Sequence, residues 1–180
     1  MKPSSFLKKA VVLLTCASLI LVATTFFIPA TPAYANDPYM DRNVPTDGMT
    51  NADLSAMNQH EIAWLLSQNQ ILRDSYQVEK DFQRLIDRMA GRHGDASPLD
   101  IALGTYDTGL VIAQSVHDQA AKVIGAQWGF NAKGQVTNRA AAIQTVTDAR
   151  AGLRDTHYRL VLITHNLHRT YADWHYNIIH

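Results

Sequence analysis

The chain has 180 residues, 47% of them hydrophobic and 18% charged, with 16 basic and 16 acidic side chains and a formal net charge of zero. That balance gives no cationic footprint for tracking phosphates, so nucleic acid is excluded as a partner. A single cysteine excludes a disulfide scaffold.

The charge is unevenly placed. Lys2, Lys8 and Lys9 precede an uncharged apolar run from Ala10 to Ile28, which leads to Ala33-Tyr34-Ala35. A basic start, an apolar middle and a small-x-small end predict a signal peptide over 1–35, cut between Ala35 and Asn36. Left uncut, the run is long enough to act as a membrane anchor, the one route to a membrane that the sequence offers. Cys16 lies within this segment, and Leu13-Leu14-Thr15 before it does not suit lipidation. The exported part would carry no cysteine, a net charge of −3 and 145 residues, enough for a single domain with its own core. It can form no thiolate zinc site, cysteine nucleophile or C-x-x-C-H haem attachment.

Residues 36–50 hold Pro38, Pro45 and Gly48 among several Asn and Asp, and read as a flexible leader to one helical domain over 51–180. Thr50 and Asp53 form a capping-box pattern at the head of the first helix, about 51–92. Its apolar stripe runs through Leu54, Met57, Ile62, Leu65, Leu72, Tyr76, Phe82, Ile86 and Met89. Glu79, with Gln68 or Asn69 according to register, adds polar groups to that seam, the kind that fix helix register at some cost in stability. His60-Glu61 opens like a zincin motif, but Trp64 occupies the place of the second histidine. Glu61 and Glu79 are the only glutamates, too few for a ferritin-like di-iron site. No G-x-S-x-G, P-loop or G-x-G-x-x-G occurs, so the chain reads as a non-enzyme.

Ser97-Pro98-Leu99-Asp100 predicts the second helix, about 98–125, with Ser97 as N-cap. Its stripe is Leu103, Tyr106, Leu110, Ala113, His117, Ala120 and Ile124. Trp128 to Gly134 reads as a loop or small hairpin. Thr137 is the expected cap of the third helix, about 137–178, with the stripe Ile143, Val146, Ala149, Leu153, Leu160, Ile163, Leu167, Tyr171, Trp174 and Ile178, and Gly152 as its one plausible break. The fold class is all-α: an elongated three-helix bundle of two long helices and a shorter middle one.

Simple level matching pairs Arg92 with Pro98 and Thr137 with Gly125. It sets Leu65 opposite Gly125, His117 opposite Arg73 and Thr145, and Thr164 near Pro98. The long helices then overhang at opposite ends. Trp128 and Phe130 would cover one end, and Tyr171, Trp174 and Ile178 would stand open at the other as a partner or self-association surface.

Five of the eight histidines fall in the last 24 residues. The same matching brings His165 and His168 to the 93–97 loop, where His93 and Asp95 would complete a site for Zn, Cu or Ni. His117, within the stripe, is a candidate ligand for haem b or a metal, and more simply a buried imidazole bonded across the seam. The expectation is that no cofactor is bound. In layout, with a signal, long helices and an amide-rich first helix, the chain is similar to the minor pilus-tip subunits of type IV secretion systems. The likeness is one of architecture and no motif carries it. The sequence therefore predicts an exported bacterial envelope protein, periplasmic or secreted, that works as a helical interaction or assembly module. A histidine-based metal-binding or haem-binding protein is the alternative.

Overall fold

Three helices, named here in chain order, account for most of the described residues: α1 (Asn51–Ala90), α2 (Ser97–Ala126) and α3 (Arg139–Ile179). The computed structural model describes residues 48–90 and 95–179, which belong to the unit Val44–His180. The expected signal peptide, most of the leader and His93 lie outside the described residues. Among those described, no helix is long and apolar enough to cross a membrane.

The helix starts follow from local hydrogen bonds. Thr50 and Asp53 close a reciprocal capping box: the Thr50 amide donates to Asp53 Oδ2 (2.8 Å) and the Asp53 amide donates to Thr50 Oγ1 (3.2 Å). These bonds hold the Asp53 carboxyl below its usual range. At α2 the expected cap is corrected. Ser97 is already helical, and Asp95 Oδ1 accepts from both its amide and its hydroxyl, so the acid two residues upstream serves the exposed amide instead. At α3 the cap is Asn138 rather than Thr137, because its Oδ1 accepts from the Ala141 amide (3.1 Å). Between α2 and α3 the chain forms a tight turn with an antiparallel bridge from Phe130 to Val136. Gly129 takes φ +83° there, and a Cβ would meet the Ala142 backbone nitrogen at 2.2 Å. Only glycine fits that position.

The pairing differs from simple level matching. His117 Nε2 meets the Leu65 carbonyl (3.3 Å) and the Tyr106 hydroxyl reaches the Ser75 carbonyl (3.4 Å). Leu65 is thus opposite His117, eight residues from its expected level, because α2 begins about one and a half turns short of the end of α1. On the other side Gly109 faces Ile163 and Gly152 faces Ala120. Residue 163, not 153, is therefore level with 109, a slide of ten residues. The turn at 127–138 folds back over the end of the bundle, so α3 starts beyond the end of α2 and beside the start of α1. There Leu54, Met57, Phe130, Ala142 and Val146 form a buried cluster.

α1 and α3 run parallel and in step. Long-range polar contacts between them join residues 85 to 90 positions apart: Gln68 with Leu153, Arg139 with Asn51, Arg150 with Glu61, and Arg139 with Met49. The long helices therefore cover each other from end to end and do not overhang at opposite ends. Nor does α3 break at Gly152. It continues, and the missing side chain allows close approach to α2, since a Cβ there would lie 3.0 Å from Ala120 Cβ. The full predicted stripe of α2, from Leu103 to Ile124, is buried together with Leu99.

Candidate functional site

The histidine-rich end does not assemble as level matching suggested. Trp174 Nε1 donates to the Asp95 carbonyl (2.9 Å), so Asp95 is level with Trp174. His168 precedes Trp174 by six residues and His165 by nine, roughly 9 and 13 Å along the axis. Both are exposed, and the Asp95 carboxylate is held by Ser97. Among the described residues no group of three or more His, Cys, Asp or Glu stands ready for a metal ion. His93, the fourth proposed ligand, is outside them.

The aromatic stripe at this end is closed. Trp174 is 6% exposed, and Tyr171 packs edge-on against Phe82 with ring centroids 5.9 Å apart. His175 stacks on Tyr171 at the same distance. The in-step pairing of α1 and α3 explains this, because it brings Phe82 and the last turns of α1 beside the tail that was expected to project alone. Ile178 is exposed, as expected of it. At the other end Phe130 is buried in the cluster, whereas Trp128 is 67% exposed.

His117 is 2% exposed. A carbonyl can only accept, so in the contact with Leu65 the Nε2–H donates, while Nδ1 has no hydrogen-bond partner and lies 3.6 Å from Asp118 Oδ1. The residue bridges α1 and α2, in keeping with a seam imidazole bonded to its neighbour.

One perturbed carboxyl in the core is a residue that apolar periodicity passed over. Glu61 is fully buried, and Arg150 donates from both Nε (2.8 Å) and Nη2 (2.6 Å) to its Oε1. Its Oε2 has no hydrogen-bond partner. Burial pushes the Glu61 carboxyl above its usual range, against the pull of Arg150 and, more weakly, of His60. Gln68, also fully buried, donates to the Leu153 carbonyl (2.8 Å). Of the two amide alternatives, Gln68 rather than Asn69 enters the core, and Glu79 lies only half-buried. The signal was spacing: Leu54, Met57, Glu61, Trp64, Gln68 and Leu72 follow at steps of three and four, with the polar members in sequence with the apolar ones. These contacts tie α1 to α3 through the core.

Exposed large apolar side chains occur on all three helices, with Leu66 on α1, Ile101, Val111 and Ile112 on α2, and the largest number on α3. Tyr158 (65%), Val161 (54%), Leu162 (44%) and Tyr176 (63%) lie on its outer side, away from the buried Leu153, Leu160 and Leu167. Comparison of the chain with family models, with curated proteins and with solved structures finds no match.

Proposed function

We propose that the protein is an exported helical interaction module of the bacterial envelope, working through protein contacts rather than catalysis. One observation carries the reading. Tyr158, Val161 and Leu162, spaced i, i+3, i+4, form a second apolar stripe on the outer face of α3, all three exposed and opposite the stripe that fills the core. A solvent-facing apolar stripe backed by a rigid helix is the arrangement of helix-mediated recognition. The basic start, apolar run and Ala33-Tyr34-Ala35 support export. The proposed surface thus lies about a dozen residues before the one expected at Tyr171 and Trp174, nearer the middle of α3.

A photo-crosslinking residue placed at Leu162 of the full chain, in the cell that makes it, tests the reading. The expected result is a discrete protein adduct that the same residue at Gln114 does not give. The absence of an adduct at 162 would overturn it. Mass spectrometry of the recovered protein should show Asn36 as its first residue.

A further inference from the structure

On the outer face of α3 every seventh residue falls on one line: Asp148, Asp155, Leu162, Arg169 and Tyr176. Asp148, Leu162, Arg169 and Tyr176 are exposed, and Asp155 is partly so. The line drifts about 20° per step, roughly 80° over its four steps, which is the course a left-handed supercoiled pair of helices follows. Its charge pattern is ordered, with acids before Leu162 and the base and aromatic after it.

That order is self-complementary in one orientation only. In an antiparallel pair with its two-fold axis at Leu162, Leu162 meets its own copy. Asp155 of each chain faces Arg169 of the other, and Asp148 faces Tyr176. A parallel pair would set Asp155 against Asp155 and Arg169 against Arg169, and like charges in contact reject such a partner. Tyr158 and Val161 beside the axis supply apolar area. Asp155 already pairs with Arg159 of its own helix (3.0 Å), which holds its carboxylate on this face.

We infer that the outer face of α3 docks a second copy of this chain, antiparallel about a two-fold axis at Leu162. The inference rests on the interaction-module reading and names its partner. The seam from 148 to 176 is roughly 42 Å long and a helix is about 10–12 Å wide. It therefore covers roughly 450 Å² per copy, at the low end of specific interfaces and in the range of weak, reversible pairs. A dimer with a micromolar Kd is expected.

Sedimentation velocity of the purified full chain from about 1 to 200 μM brackets such a Kd. Asp155→Arg and Arg169→Asp should each raise the dimer Kd by about tenfold or more, because each sets like charges opposite one another at two places. An equimolar mixture of the two variants restores both opposite-charge contacts and should return the Kd to within about threefold of the original. Both substitutions are on exposed or half-exposed positions, and rescue in the mixture shows that each variant is folded. A chain that is monomeric over the whole range overturns the inference, as does a dimer indifferent to both single changes. A monomer that still crosslinks at Leu162 to a different protein overturns the self-pairing and leaves the interaction-module reading standing. A monomer with no adduct overturns both.

Discussion

Two glycines of α2 should respond differently to the same substitution. At Gly104 a Cβ would have no neighbour within 4 Å, whereas at Gly109 it would lie 2.4 Å from Ile163 Cγ2. Replacing a mid-helix glycine by alanine gains about 0.8–1.0 kcal/mol of intrinsic helix preference. Gly104→Ala should keep that gain, raising Tm by roughly 2–4 °C for a chain of this size. At Gly109 the new methyl must open the contact with Ile163 by more than an ångström. Overpacking of that kind costs about 1–3 kcal/mol, so Gly109→Ala should come out neutral to roughly 2 kcal/mol less stable. Urea unfolding followed by helical circular dichroism reads both, with an unchanged m-value as the control. Ile163→Leu removes the branching methyl, so combining it with Gly109→Ala should recover about 1 kcal/mol or more relative to additivity. Equal stabilisation by the two alanines, or an additive cycle, would refute the assigned packing of α2 on α3.

The ion pair at the bundle centre should behave as a matched set. Arg150→Met strands a buried carboxylate and should cost about 3–5 kcal/mol at neutral pH, whereas Glu61→Leu with Arg150→Met should be near neutral or stabilising. Because burial raises the folded-state pKa of Glu61, its penalty operates above that pKa and fades as pH falls through it. The Arg150→Met variant, which lacks the opposing cation, should therefore regain stability on acidification, and a flat chemical-denaturation profile with pH would contradict this. His157 titrates in the opposite sense. Burial lowers its pKa from 6.5, so the folded state resists protonation and stability falls as pH drops from about 7 towards 5. His157→Gln should flatten that slope, and an unchanged slope would assign it to other groups. Calorimetric titration with Zn, Cu or Ni should give only weak, non-saturating heats at His165 and His168. A single tight site lost on His165→Ala with His168→Ala would restore the metal reading.

The helices were legible in the sequence because two independent signals agreed there, apolar spacing and turn chemistry. Leu103 to Ile124 illustrates the first, and Thr50 with Asp53 the second. Pairing was not legible, since it depends on what each connection does in space. The 127–138 segment could have run onward or folded back, and Phe130 turning into the Leu54 cluster decided for the second. Glu61 escaped because a stripe drawn from apolar residues alone skips the polar positions within it, and Gln68 stood only as one of two alternatives for the seam. Their partners, Arg150 and the Leu153 carbonyl, are 89 and 85 residues away, and no local rule spans that distance. The open aromatic end failed for the same reason, since it assumed a level for Trp174 that the Asp95 carbonyl contradicts. The histidine site assumed it too.

The parallel, in-step pairing of α1 and α3 governs how the domain would bear load. The described chain enters at the head of α1 and leaves at the foot of α3, at opposite ends of a rod about 60 Å long, given 41 residues in α3. Tension between those points slides the two long helices past each other. It strains the Glu61–Arg150 pair, the Gln68 bond and the packing around Trp174 together rather than in succession. Contacts loaded side by side yield at higher force than contacts peeled one at a time, so the bundle is built to resist pulling along its axis.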